Sequence, residues 1–106
     1  MSDESKKIVV HVDPDLADII PRFMEIREED IRNMREALGE GDFDKIRRIG
    51  HSMKGAGGSY GFDGISKIGA VIEIAGKEKR AEEIKSLLAE LVGYLENVEI
   101  VFDGES

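Results

Sequence analysis

His51 and Lys54 stand three residues apart in the stretch Gly50 to Phe62, GHSMKGAGGSYGF. A neutral imidazole is a good nucleophile near pH 7, since its unperturbed pKa is about 6.5. An ammonium one helical turn away can offset the charge of an oxyanion carried on that ring. Together they suit a histidine that itself takes up a phosphoryl group. Nothing else in the chain supplies a base, a nucleotide pocket or a metal, so the donor's machinery would come from a partner.

Other chemistries fit the same residues less well. GHSMKGAG begins like a phosphate-cradling loop, but Ala56 and Gly57 stand where a lysine and a hydroxyl residue are required. It also follows a helical pattern and not a strand. A metal site needs more donors than Asp44 and distant carboxylates, and no second histidine lies at ligand spacing. Ser52 cannot serve His51 in a triad, because adjacent helical residues diverge by about 100°. His11, in the N-terminal extended segment, is assigned no role.

The composition narrows the classes further. A net charge of −8 over 106 residues argues against nucleic acid and anionic membrane surfaces as partners. Without cysteine there is no disulfide framework and no thiolate metal site. No apolar run approaches the roughly 20 residues of a membrane span, and MSDESKK opens no signal peptide. A cytoplasmic monomer is expected. Starting at Met1 and ending in acidic residues, the chain leans towards a stand-alone protein.

The elements that must position His51 read as helices. MSDESKK is expected to fray, and IVVHV (8–12) is read as an extended segment with no strand to pair with. Asp13 and Pro14 start a short helix, and Pro21 restarts the chain. Phe23, Met24, Ile31, Met34 and Leu38 follow at helical spacing, with Gly39 as terminator. Asp42 caps a helix carrying Ile46, Ile49 and Met53. Asp63 caps another with Ile65, Ile68, Ile72 and Ala75, ending at a turn marked by Gly76 and KEKR. The last helix carries Ile84, Leu88, Leu91, Leu95, Val98 and Phe102 in steps of three and four. The expected fold is all-α, an antiparallel four-helix bundle with a short additional N-terminal helix. Its expected boundaries are an extended segment over 1–12 and a bundle over 13–103.

On a helical wheel His51 lies about 180° from the Ile46, Ile49, Met53, Ala56 and Tyr60 stripe, and so faces outward. Arg47, Arg48 and Lys54 crowd that face into a local anion site, with Asp44 beside them. Gly55 and Gly58 share it, each costing a helix about 1 kcal/mol relative to alanine. That cost makes sense if a second protein brings its backbone close to the imidazole. Gly57 points inward to admit a neighbouring helix, Gly50 falls on the boundary, and Gly61 terminates the helix.

GHSMKGAGGSYGF strongly resembles the His-x-x-Lys-Gly motif of histidine-containing phosphotransfer (HPt) domains of bacterial phosphorelays. The resemblance extends to length and architecture, with the histidine outward on the second long helix. It implies that His51 accepts a phosphoryl group from a receiver-domain aspartate of a response regulator or hybrid histidine kinase, and passes it to another receiver through the outer ring nitrogen. Lys54 carries over as charge partner and Gly55 as clearance residue. The family's polar residue on the next helix, which holds the other ring nitrogen, falls at about Glu73. The receiver brings Mg²⁺, so the chain has no cofactor of its own and is a phosphocarrier without kinase activity. The family's docking patch is expected around His51 on the first two long helices, with Met24, Ile26 and Phe43 as apolar candidates. Two other readings stand beside this one: the phosphorylated domain of a chemotaxis-type kinase, and a helical adaptor in which the glycines serve docking alone.

Overall fold

A computed structural model describes residues 7–103; the expected fraying of MSDESKK falls almost wholly outside them. Four helices account for most of the chain: α1 (Ile20–Glu40), α2 (Phe43–Tyr60), α3 (Asp63–Lys77) and α4 (Ala81–Asn97). Each packs on its sequence neighbours, and α1 closes the ring against α4. Short turns fold consecutive helices back on one another, as a bundle requires. Two of the turns depend on glycine in the left-handed region, Gly41 (φ 71°) after α1 and Gly61 (φ 88°) after α2.

The core between them is mainly aliphatic. Met34, Ile46, Met53, Ile65, Ile72, Ile84 and Leu91 are fully enclosed. Phe23 is the aromatic hub, stacked on Phe62 at 4.9 Å and meeting the Tyr60 ring edge-on at 5.0 Å. Helix α2 presents the expected faces: Ile46 and Met53 are buried while His51 is exposed.

Several local expectations are corrected. The short additional N-terminal helix is a single 3-10 turn over Pro14–Leu16, where Asp13 does cap by accepting from the Asp15 N–H at 2.9 Å. Ile20 is helical, because Pro21 sits within the first turn of α1, where its missing N–H has no partner to lose. Helix α1 continues past Gly39 and stops at Gly41. Asp42 caps α2 through the Lys45 N–H, as read, but Asp63 lies inside α3 and makes no cap bond. Gly76 also lies inside α3, buried against the backbone of Arg47.

The largest correction is at the two ends of the chain. Ile8–Val12 is a strand, β1, and it has a partner: β2, Val98–Phe102, pairs with it in parallel, Ile8 opposite Val98 and Val12 opposite Phe102. Helix α4 therefore ends at Asn97 rather than running through Phe102. Val98 and Phe102 fit helical spacing from Leu95, but Val98, Ile100 and Phe102 also alternate with Glu99 and Val101. The second period wins because β-branched residues suit a pleated strand and Val12, 2 % exposed, gives that strand a core-facing neighbour. Beyond the ladder, the Asp103 N–H donates to the Val12 carbonyl at 3.0 Å, and His11 Nδ1 meets Asp103 Oδ1 at 2.8 Å.

Candidate functional site

Helix α2 holds His51, and α3 approaches α2 closely enough to reach it. The approach depends on missing side chains. A Cβ at Gly50 would lie 2.7 Å from the Glu73 backbone nitrogen, and one at Gly69 would lie 2.7 Å from that of Lys54. A Cβ at Gly57 would lie 2.6 Å from the Ser66 nitrogen. Gly57 thus admits the neighbouring helix as expected, whereas Gly50 is buried in the same contact and is not a boundary residue. Ser66 adds a cross-helix bond, its hydroxyl donating to the Lys54 carbonyl at 2.9 Å.

This contact sets Glu73 between the two chemically interesting side chains of α2. His51 Nδ1 lies 3.0 Å from Glu73 Oε2, and Lys54 Nζ lies 3.2 Å from Glu73 Oε1. A carboxylate can only accept, so Nδ1 carries the proton and donates it. In the neutral ring the lone pair then belongs to Nε2. The Lys54 ammonium, followed by the His51 bond, holds the Glu73 carboxyl below the usual carboxylate range. The acceptor therefore stays anionic at neutral pH. The His51 side chain is 66 % exposed and that of Glu73 only 24 %, so the ring is anchored from beneath and open above.

The remaining charges on this face are partly spoken for. Asp44 accepts from Arg47 at 2.9 Å and from Arg48 at 3.1 Å, and these guanidiniums, Arg47 foremost, lower its pKa. The expected anion site of Arg47, Arg48 and Lys54 is thus tempered by two carboxylates, Asp44 on the guanidiniums and Glu73 on the ammonium. Helix α2 still carries Lys45, Arg47, Arg48 and Lys54 against Asp44 alone, an excess of positive charge in an acidic chain.

Gly55 and Gly58 both lie on the exposed surface with His51. A Cβ at Gly55 would meet nothing within 4 Å, and one at Gly58 only the Ser66 hydroxyl at 3.8 Å. Folding does not need either position bare. Of the apolar docking candidates, Met24 and Phe43 pack against the core, while Ile26 lines a groove between α1 and α2 together with Phe23, Arg27, Ala56 and Tyr60. Arg27 is 4 % exposed there, bonded through Nε to Asp30 at 3.0 Å and set over the Phe23 ring.

Sequence reasoning missed Asp44 as a neutralising partner and the role of Gly69 opposite Gly50. A signal existed for the second: Gly50 and Gly57 on α2, and Gly69 and Gly76 on α3, each recur after seven residues. Small residues at that spacing on two consecutive helices mark a close seam.

Among the described residues no helix is long and apolar enough to cross a membrane. No curated protein and no solved structure matches the chain at a significant level. The family model described as Hpt domain matches residues 18–99, which take in all four helices and the first two residues of β2. With an outward histidine held from the next helix of the bundle and that match over most of its length, the chain belongs to the Hpt domain family, the phosphocarrier modules of two-component signalling.

Proposed function

We propose that His51 is the phosphorylated residue and that the chain relays a phosphoryl group between receiver domains in the cytoplasm. Nε2 attacks the phosphorus of a receiver's aspartyl phosphate. The bond from phosphorus to the aspartyl oxygen breaks, and the carboxylate leaves with the electron pair. Nδ1 keeps its proton, and the positive charge that develops on the ring lies against Glu73. Transfer onward is the reverse step, with a second receiver's aspartate as the nucleophile. Mg²⁺ and the acidic pocket belong to the receiver, and the chain supplies no kinase activity of its own.

Lys54 acts as charge partner for the phosphoryl oxygens. Gly55 and Gly58 keep the surface beside the ring clear for the receiver's loops. Glu73 is a positioning residue: it fixes the tautomer and the ring plane. The observation that carries this reading is the bridge from His51 Nδ1 through Glu73 to Lys54, because it leaves one nucleophilic nitrogen facing solvent.

The test is transfer of labelled phosphoryl from phosphorylated receiver domains of the source organism to the purified chain. Acid-labile label on wild type and none on His51→Gln is the expected result. Equal labelling of His51→Gln would overturn the assignment. Label arriving only from ATP and a kinase catalytic domain would favour the chemotaxis-type reading.

A further inference from the structure

Helix α3 has an outer ridge that the bundle does not use. Val71 is 39 % exposed and Ile74 55 % exposed, and among the described residues they are the only large apolar side chains that a bundle helix leaves open to this degree. They stand three residues apart, and Ala70 lies four before Ile74, so Ile74 neighbours both on the helix surface. Lys67 lies four residues before Val71 and Lys77 three after Ile74, so an exposed lysine brackets each end. Neither lysine makes an ion pair among the described residues, although most of the chain's other charges are acidic.

The ridge is continuous with the site. A groove of about 530 Å³ runs between α2 and α3, lined by Arg47, Lys54, Ala70, Glu73, Ile74 and Lys77. Two of these, Lys54 and Glu73, are the groups bonded in the His51 bridge. A protein that reaches Nε2 from this side must cover Ile74 and approach Lys77. The family resemblance placed docking on the first two long helices; the exposed apolar ridge and these two lysines are on the third.

We infer that α3 is part of the partner footprint, and that it selects receivers presenting an apolar side chain flanked by carboxylates. This rests on the phosphotransfer reading above. The contact has the anatomy of a transient interface, an apolar centre with a charged rim. Rim charges of this kind act mainly on the association rate and weaken with salt. The ridge therefore sets which receivers exchange with His51 quickly, while the bridge beneath the ring sets the chemistry.

The experiment uses the full chain and the receiver domain that phosphorylates it fastest in a panel from the source organism. The variants are Lys67→Glu/Lys77→Glu and Val71→Gln/Ile74→Gln, with folding checked by thermal melts. Phosphoramidate, a small donor that phosphorylates imidazole without docking, reports the chemistry at His51 separately. Each variant should take phosphoryl from the receiver about tenfold more slowly below saturation. Labelling by phosphoramidate should not change, and the charge-reversed variant should lose most of its salt dependence. Wild-type transfer rates from the receiver in both variants would overturn the α3 footprint and leave the function intact. An equal loss with phosphoramidate would also overturn it, placing the effect in the site. Phosphoramidate labelling without transfer from any receiver would overturn the phosphotransfer reading itself, and the footprint with it.

Discussion

Replacing Gly69 with alanine tests whether the close approach of α3 builds the site. The added Cβ would sit 2.7 Å from the Lys54 nitrogen, 2.8 Å from the Gly50 carbonyl oxygen and 2.9 Å from the Met53 Cβ. Two of these are backbone atoms, which cannot swing aside. Reaching an ordinary contact of 3.4 Å requires α3 to retreat by about 0.7 Å, and overpacking of this kind costs about 1–3 kcal/mol. Alanine returns about 1 kcal/mol of helix propensity, so the net loss is about 1 kcal/mol. For a domain of this size that lowers Tm by about 4–8 °C. The same displacement carries the 3.0 Å bond between His51 and Glu73 to about 3.7 Å, beyond hydrogen-bond range. Gly93→Ala is the matched control: its Cβ would meet nothing within 4 Å, so propensity alone acts and Tm rises by a similar amount. Circular dichroism melts and receiver-to-chain transfer rates on both variants decide the matter. A Gly69→Ala protein as stable and as quickly phosphorylated as Gly93→Ala would refute the reasoning.

Two further outcomes follow from the bridge and the bare face. Glu73→Gln keeps an acceptor for Nδ1 but removes its charge, and should slow phosphoryl acceptance about fivefold in single-turnover assays. Because the Glu73 carboxyl in the folded chain titrates below its ordinary value of 4.5, wild type should hold a stability advantage over Glu73→Gln above that pH. The advantage should fade as pH drops through the lowered value, as read from melts of both proteins between neutral and acid pH. Gly55→Leu should fold at least as well as wild type, since its Cβ has open space and leucine favours a helix, yet lose transfer from receivers while phosphoramidate still labels it.

What the sequence made legible follows from which signals had one interpretation. His51 on the outward face was readable because Ile46 and Met53, both fully buried, fix the wheel with no competing period. Glu73 was placed by resemblance alone; residues 22 positions apart in sequence meet only through the seam of Gly50 and Gly69. The paired strands escaped because Val98 and Phe102 satisfy helical and strand spacing equally, and a lone IVVHV offers no clue that its partner lies at the far end of the chain. The weakening of the cationic face by Asp44 was overlooked for a different reason. A wheel shows which residues share a face, but not that one carboxylate reaches two guanidiniums at once. The exposed ridge of α3 drew no reading, because the stripe of Ile65, Ile68, Ile72 and Ala75 accounts for the face packed inward and Val71 and Ile74 lie outside it.

The central claim is that Glu73 occupies Nδ1 and so reserves Nε2 for the phosphoryl group. Nitrogen-15 and phosphorus-31 NMR of the chain, labelled on its histidine rings and phosphorylated by a receiver, reads the attachment directly. Phosphorus coupled to Nε2 of His51, with Nδ1 still protonated, is the expected spectrum. Phosphorus on Nδ1, or on His11, would contradict it.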